Sequence, residues 1–421
     1  MALRLPSRSA PLVGRDRRQA LLVALGLGLA IAVRVVLIVS PGAHGDIDTY
    51  AAWVHGLATD VPFGAAYRIG IAYMPVVAGV FGALAHVVPG FASATDASSL
   101  GIRVALKVPP LIADIATSVG VYFLANGRRV DRAGAAVAVA LVPATWYVSA
   151  WWGQYDAIYV AAAVWVVVLA VREHRLASAV LFGLAMMTKP QALFLAVPIA
   201  AWMVARWHGR QGIGALLLAV AVAAGTWLPF VPWGGVADYL HGVTRFEGGG
   251  VAVLSFGAWN FWWLIQGAVA GDKLVSDSVA LLGPLTSRAV GYVLVAGGEA
   301  LIALAMIRRP TPDRLLLGLA AATLVAFAFM TTMHERYSLG AIVFLAPLLT
   351  RPGIRLAWAV LAATVTLNIL ATVPPHGSPG SLVPLSGPIG AAGSLVMLAL
   401  TVSVVARLIQ DRAPTTPAGV S

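Results

Sequence analysis

The stretch GDIDTYAAW, residues 45–53, follows directly on the first long apolar run of the chain, residues 19–40. Its two carboxylates, Asp46 and Asp48, therefore stand just beyond a predicted membrane-spanning helix. Aromatic residues follow them at helical spacing, which is typical of an interfacial helix whose polar end carries chemistry. Alternatively, the two acids cap that helix, because Asp is favoured at helix starts. This stretch by itself leaves both interpretations open.

The composition is that of a membrane protein. Of the 421 residues, 60% are hydrophobic and only 11% are charged, whereas soluble domains carry about 25% charged residues. The net charge of +11 comes from basic residues in short clusters between apolar runs. The positive-inside rule produces this pattern, which argues against nucleic-acid binding. The chain has no cysteine, and this excludes disulfides and thiol chemistry.

Placing every basic cluster in the cytoplasm predicts the topology. The fold class is then an all-α polytopic membrane protein with about 12 transmembrane helices, both termini inside, and a long first outer loop that carries interfacial helices. Residues 72–88 would upset this parity if they crossed, but the run is short and contains Pro75 and His86. We therefore expect it to form an interfacial or re-entrant helix on the outer face.

The same topology divides the chain into four parts. A cytoplasmic segment (residues 1–18) precedes a transmembrane core (19–349), which is followed by C-terminal helices (350–408) and a disordered tail (409–421). The segments predicted to lie on the outer face are residues 41–101, 151–156, 188–191, 231–287 and 332–337.

Four charged residues fall inside predicted membrane helices, where an unpaired charge is costly. Arg34 and Lys107 either have paired roles or extend along the helix to the membrane interface. For Asp114 the structural interpretation is an ion pair with Lys107, a turn or two earlier on the same helix. Glu299 has no evident partner in the sequence.

Cations recur at separate outer segments, each beside an aromatic or amide residue: Lys189, Arg245 and Arg336. Such a set would suit a phosphate group that enters from the outer leaflet, because arginine binds phosphate bidentately and lysine binds it as a point charge. The alternative is scattered anchoring to lipid headgroups. The tryptophans of the same segments either form an interfacial belt or offer a surface for a sugar.

Five outer-face motifs occur in a fixed order along the chain. They are Asp46-x-Asp48-x4-Trp53, Gly153-Gln154-Tyr155-Asp156, Thr188-Lys189-Pro190-Gln191, Asn260-Phe261-Trp262 and Met333-His334-Glu335-Arg336. Together they resemble the GT-C membrane glycosyltransferases that use polyprenyl-phosphate-linked sugars, most closely the dolichyl-phosphate-glucose glucosyltransferases of N-glycan assembly and their bacterial relatives. The resemblance covers roughly residues 19–349 and implies a GT-C catalytic core. Arg336 stands where those enzymes have lysine, and the fourth outer segment lacks the fuller eukaryotic pattern.

The resemblance implies an inverting sugar transfer to an acceptor hydroxyl, with Asp46 as the general base. One carboxylate suffices, because a polyprenyl phosphate leaves as a stable anion, unlike the alkoxide that a glycosidase must protonate. The residues expected around the phosphate of the sugar donor are Lys189, Arg245, His334 and Arg336. Those expected to act as a second acid or to position the acceptor are Asp48, Tyr50, Trp53, Gln154 and Asp156.

No resident cofactor is expected, although Asp46 and Asp156 could alternatively hold Mg²⁺ or Mn²⁺. The expected partners are the lipid-linked sugar, a glycan, glycolipid or protein acceptor, and the bilayer, with no nucleic acid. The expected location is the cell membrane, with the site on its extracytoplasmic face. Mannose, glucose and arabinose transfer would look alike, so a mannosyltransferase of the cell envelope is one possibility. The rival function is a transporter or flippase of lipid-linked sugars, which would need polar residues through the bilayer rather than on one face.

Overall fold

The computed structural model of the chain describes residues 11–246, 252–271 and 273–410, without the side chains of residues 11–16, 44, 244–246 and 282. This part of the chain is mostly helical, as the composition predicts, and its strands are only two or three residues long. The helices of the first half are α1 (Pro11–Ile38), α2 (His44–Thr59), α3 (Pro75–Val87), α4 (Leu100–Leu124), α5 (Arg129–Leu141), α6 (Pro143–Trp146), α7 (Asp156–Val171), α8 (Arg175–Met186), α9 (Ala196–Arg206) and α10 (Arg210–Gly225).

The second half contains seven more helices and two small strand pairs. The helices are α11 (Gly235–Phe246), α12 (Phe261–Ala270), α13 (Ser287–Arg308), α14 (Pro312–Phe329), α15 (Leu339–Leu345), α16 (Ile354–Thr372) and α17 (Gly387–Gln410). The strands are β1 (Ser255–Phe256), β2 (Ala280–Leu282), β3 (Leu285–Thr286) and β4 (Met333–His334). Strand β1 pairs with β4 in parallel, and β2 pairs with β3 antiparallel.

Six helices in the described residues are long and apolar enough to cross a membrane, and a seventh span results if one bent pair counts as a single crossing. They are Arg17–Ile38, Leu100–Leu124, Ser287–Arg308, Pro312–Phe329, Ile354–Thr372 and Gly387–Gln410, with the bent pair Arg129–Leu141 and Pro143–Trp152. The remaining apolar helices have 10–17 residues, and a perpendicular crossing needs about 20. The membrane class is therefore confirmed, and the number of 12 crossings stays a prediction.

The bent pair interrupts the apolar run of residues 133–151. Helix α5 ends at Leu141, Pro143 opens α6, and the two parts meet at 56°. Proline has no N–H for the helical ladder, so a break at this point is expected. The second part then widens into a π-helical turn, Tyr147–Trp152, which Gly153 ends at φ +83°. Single π turns are frequent at functional sites, and this one delivers the second outer motif.

Helix α3 occupies most of the ambiguous run 72–88. Pro75 stands at its N-terminus, where the missing N–H costs nothing, and the helix packs on α2. Its 13 residues give a length of about 20 Å, against the roughly 30 Å of a hydrocarbon core. This length favours the interfacial placement over a crossing.

Charged residues inside the helices pair differently from the prediction. Asp114 does not pair with Lys107; its Oδ2 accepts from Arg34 Nε at 2.9 Å and from Ser149 Oγ at 2.8 Å. Two turns separate Lys107 from Asp114, about 10 Å along the axis, whereas Arg34 of α1 lies level with the acid. Arg34 is only 5% exposed and also donates to the carbonyl of Ala140. It is therefore buried and does not reach the interface.

Lys107 is fully buried, and its Nζ donates to the Ser40 carbonyl at 2.7 Å, just beyond the C-terminus of α1. A cation is favourable there, because the helix end carries partial negative charge. Glu299 is 8% exposed, and neither of its carboxylate oxygens has a hydrogen-bond partner in the described part of the chain. This agrees with the sequence, in which Glu299 has no evident partner.

Candidate active site

Helix α2 presents the first pair of acids. Its N-cap is Ala43, which makes no side-chain capping bond, and Asp46 lies within the first turn. Neither Asp46 nor Asp48 is therefore the N-cap residue, although Asp46 in the first turn lies at the positive end of the helix dipole. The entry to the helix requires Gly42, which has φ +76° and where a Cβ would come within 2.7 Å of the Trp151 carbonyl. Asp48 turns away from Asp46, and its Oδ1 accepts from the backbone N–H of Ala97 at 2.9 Å.

The Asp46 carboxylate is held on one side only. Its Oδ2 accepts from Trp152 Nε1 at 2.8 Å and from Gln154 Nε2 at 2.6 Å. Both of these residues lie in or just after the π-helical turn. The other oxygen, Oδ1, has no hydrogen bond to any described residue, and Asp46 is partly exposed. A fixed carboxylate with one open oxygen suits a general base, which must reach the proton that it removes.

Buried hydroxyls fix the orientation of the Gln154 amide. Its Oε1 accepts from Tyr50 OH at 2.9 Å and from Tyr73 OH at 3.3 Å, and the two hydroxyls lie 2.8 Å apart. Because the carbonyl end is used by hydroxyls, the NH₂ end must face Asp46. Burial raises the pKa of both tyrosines well above the usual value, so both stay protonated donors. Sequence reasoning named Tyr50 and missed Tyr73, which lies two residues before Pro75 and belongs to no motif identified in the sequence.

A second cluster combines two cations and two acids. Asp156 Oδ2 accepts from Lys189 Nζ at 2.9 Å and from Arg336 Nε at 3.3 Å. Arg336 Nη1 donates to Glu335 Oε1 at 2.8 Å. All four residues are less than 9% exposed, and buried charges of this kind persist only when they are paired. Asp156 was predicted to act together with Asp46, but its carboxylate binds Lys189 and Arg336. The contact made by Glu335 was not predicted.

One indole joins Asp46 to the cations. The Trp152 ring donates its N–H to Asp46, and the Arg336 guanidinium lies 4.8 Å from the centroid of the same ring. Lys189 Nζ lies 5.5 Å from the ring of Tyr73 and 5.0 Å from the ring of Tyr337. Aromatic faces attract cations and hold them in place. Asp46, Lys189 and Arg336, which the sequence separates by 290 residues, therefore belong to one connected site.

Burial sets the protonation of the cluster. It lowers the pKa of Lys189, an effect that the charge of Asp156 opposes. Burial, with the charges of Arg336 and Lys189, lowers the pKa of His334 well below 6.5, so this imidazole is neutral at pH 7. Burial also raises the pKa of the Glu335 carboxyl, against the effect of Arg336. The pKa values of Lys189, His334 and Glu335 therefore depend on the charges around them, and a charged group that binds among them would shift these values.

The turn that carries His334 is pinned by strand pairing. Residues 333–334 form β4 beside β1, and the His334 ring lies 4.7 Å from the ring of Phe256. Thr332 just before it has φ +60°, a conformation that costs free energy outside glycine and is concentrated at functional sites. Its N–H donates to the Val253 carbonyl at 2.9 Å, which holds the strained residue in place.

Two other predicted residues have different outcomes. Arg245 lies in the last turn of α11, and its side chain is outside the described part of the chain. Asn260 caps α12, since its Oδ1 accepts from Trp263 N at 2.9 Å, and its Nδ2 donates to the Phe327 carbonyl at 3.0 Å. The Asn260-Phe261-Trp262 motif therefore holds the start of α12 against α14. Trp259, Trp262 and Trp263 are buried and donate to backbone carbonyls, so these three form no interfacial belt. Trp53 packs against Tyr50.

The predicted metal alternative fits this geometry poorly. Asp156 Oδ2 faces two cations, and Asp46 Oδ2 faces two N–H groups. A divalent cation instead needs several oxygen ligands converging on one point. Among the described residues no group of three or more His, Cys, Asp or Glu side chains is arranged to hold a metal ion.

Comparison with known proteins identifies the family. The model of the ALG6, ALG8 glycosyltransferase family matches residues 72–375, which is more than half of the chain. The matched part contains Asp156, Lys189 and Arg336 and begins after Asp46, so the match does not rest on the proposed base. No curated protein matches the chain. The chain therefore belongs to the ALG6, ALG8 glycosyltransferase family and is a membrane glycosyltransferase.

Proposed function

We propose that this glycosyltransferase moves a sugar from a polyprenyl-phosphate donor to an acceptor hydroxyl on the extracytoplasmic face of the cell membrane, with inversion at the anomeric carbon. The observation that carries the proposal is the Trp152 indole, with the Asp46 carboxylate at its N–H and Arg336 on its face. The proposed base for the acceptor and the proposed counterion for the leaving phosphate therefore contact the same side chain. Membership of a glycosyltransferase family supports this role and gives no support to the flippase alternative.

The reaction is a single displacement. The open Oδ1 of Asp46 takes the proton of the acceptor hydroxyl while that oxygen bonds to the anomeric carbon. The bond from this carbon to the phosphate oxygen breaks, and its electron pair leaves with the polyprenyl phosphate. Fixed cations that meet this growing negative charge lower the barrier, because they need no reorganisation during the reaction.

Unused hydrogen-bond donors mark where the phosphate would bind. Lys189 uses one of its N–H groups on Asp156, and Arg336 uses Nε and Nη1, which leaves Nη2 without a partner among the described residues. Neutral His334 adds a further hydrogen-bonding group. Asp156 and Glu335 neutralise the cations and hold them in position before the donor binds. Phosphate binding is stronger when its cations are already ordered, because less conformational entropy is lost.

The experiment that tests the proposed donor is a panel assay. The purified full-length protein is incubated with membrane extract and with radiolabelled mannose, glucose and arabinose, each linked either to a polyprenyl phosphate or to a nucleotide. We expect transfer from one polyprenyl-phosphate sugar and none from the nucleotide sugars. Transfer that requires the nucleotide-linked form would contradict the proposal.

Donor affinity should fall on the alkaline side because of Lys189. The lowered pKa of this lysine means that its positive charge is complete at low pH and is lost as pH rises, before the pH of about 10.4 at which an exposed lysine titrates. Binding of polyprenyl phosphate, measured from pH 7 upwards, should weaken in the wild type. Lys189→Arg should remove this weakening, since arginine stays charged. The same alkaline decline in the Lys189→Arg variant would show that another group titrates.

Chelation provides a test of the metal alternative. We expect transfer by the purified enzyme to be unchanged by EDTA, because the contacts of Asp46 and Asp156 are with N–H groups and cations. The assay compares EDTA-treated protein with the same sample after Mg²⁺ or Mn²⁺ is restored. Activity that is lost with EDTA and returns with the metal would reinstate a metal ligand role for the two acids.

A further inference from the structure

A second polar site lies at the far ends of α8 and α9 from Lys189. A cavity of about 380 Å³ opens there between the turn after α7, the turn after α9 and the start of the link to α14. Its lining residues are Glu173, Arg175, Ala205, Arg206, His208 and Pro310. We propose that this cavity binds a phosphate group, carried either by a phospholipid headgroup or by a soluble phosphate.

The two arginines are already arranged around one anion. Glu173 Oε2 lies 3.3 Å from Arg175 Nη2, and Glu173 Oε1 lies 3.2 Å from Arg206 Nη2. One carboxylate therefore holds two guanidinium groups on the wall of the same cavity and leaves an excess positive charge. The arginine side chains are 39% and 50% exposed. Arg175 Nη1 also donates to Gln211 Oε1, whereas Arg206 Nη1 has no hydrogen-bond partner among the described residues. Guanidinium groups bind phosphate bidentately, which makes the pair a suitable cradle.

The backbone adds positive charge at the same place. Helix α8 begins at Arg175, and helix α10 begins at Arg210, two residues beyond His208 of the lining. Neither helix has a side-chain cap or an acid in its first turn. A helix N-terminus carries partial positive charge, so arginine in the first position is unfavourable unless an anion is nearby. Here two such starts occur beside one cavity, and Glu173 supplies the single carboxylate among its lining residues.

Backbone strain is also concentrated here. In the described residues, non-glycine residues with positive φ are Glu173 (+60°), His208 (+52°) and Thr332 (+60°). The first two line this cavity, and the third precedes His334 of the candidate active site. Glycine usually occupies this conformation after a helix. Retaining a carboxylate and an imidazole there keeps both side chains on the cavity wall, at a cost in strain that is typical of functional positions.

The test measures binding to the full-length protein in detergent by native mass spectrometry, with phosphatidylglycerol and inorganic phosphate as separate probes. We expect at least one probe to bind the wild type, and the Arg175→Gln/Arg206→Gln variant to lose about tenfold or more in affinity for it, because two charge-assisted contacts are removed. Loss of phosphatidylglycerol binding identifies a lipid headgroup, and loss of inorganic phosphate binding identifies a soluble ligand.

The matched control is Arg129→Gln/Arg355→Gln, which removes two positive charges from basic clusters outside the cavity. It should bind the probe as the wild type does, and both variants should keep the wild-type melting temperature. Equal affinity in all three proteins would overturn the proposal. An equal loss in both variants would overturn it too, because it would show attraction to general positive charge. These readouts do not depend on sugar transfer.

Discussion

Asp46→Asn should lower the rate of sugar transfer by about 10²–10⁴-fold, the usual contribution of a general base. The amide cannot take the acceptor proton, but its oxygen can still accept from Trp152 Nε1 and Gln154 Nε2, so the site should keep its shape. Binding of the polyprenyl-phosphate sugar should be nearly unchanged, since the cations proposed to hold the phosphate are intact. The measurement is kcat with saturating donor, together with a separate donor Kd.

The matched control is Asp48→Asn, the same change two residues later. Its Oδ1 accepts from the Ala97 N–H at 2.9 Å, and an asparagine Oδ1 can do the same. We expect this variant to retain activity within a few-fold of the wild type. Equal losses in the two variants would show that the segment tolerates no amide, and full activity in Asp46→Asn would remove the base from the mechanism.

Asp114→Leu should lower the free energy of unfolding by about 3–5 kcal/mol, because it leaves the Arg34 guanidinium buried without its counterion. The acid is 4% exposed and binds both Arg34 and Ser149. Ser149 lies in the π-helical turn that ends at Trp152. Activity should therefore fall as well, through loss of the support beneath Trp152 and Gln154. The measurement is mixed-micelle unfolding followed by tryptophan fluorescence.

Two controls separate the pair from burial in general. The double variant Arg34→Met/Asp114→Leu should recover most of the lost stability, because an apolar pair removes both charges together. Glu299→Gln should cost little, since its carboxylate is similarly buried but makes no hydrogen bond to any described residue. If Glu299→Gln destabilised the protein as much as Asp114→Leu, the ion pair would not be the cause.

The sequence was most informative where the chemistry of a side chain by itself restricts where that side chain can lie. Hydrophobic content predicts the membrane class, and the outer-face motifs predict that Asp46, Lys189 and Arg336 approach one another. Trp152 contacts both Asp46 and Arg336, and Asp156 accepts from both Arg336 and Lys189, so the three residues belong to one site. Their roles in catalysis stay predictions. The domain limits at residues 18, 349 and 408 also stay predictions.

Partner choice between helices could not be predicted in the same way. Spacing along one helix suggested Lys107 for Asp114, but the contact that forms joins α1 to α4 and depends on how the two helices pack. The bend at Pro143 redirects the chain from α5 to the π-helical turn, and apolar periodicity runs through it unchanged. Tyr73 lies two residues before α3, which packs on α2, and its hydroxyl reaches Gln154. These features depend on tertiary contacts, which local patterns do not contain.

The anomeric configuration of the product tests the central claim most directly. In the proposed mechanism Asp46 acts as a single base opposite the cations, which requires one displacement at the anomeric carbon. Of the other carboxylates of the site in the described part of the chain, Asp156 binds Lys189 and Arg336, and Glu335 binds Arg336, so both are engaged by cations rather than placed to form a covalent glycosyl intermediate. The purified enzyme is given a polyprenyl-phosphate sugar of known configuration, and the product linkage is determined by NMR from the coupling constant of the anomeric proton. We predict inversion relative to the sugar donor. Retention of configuration would contradict the account.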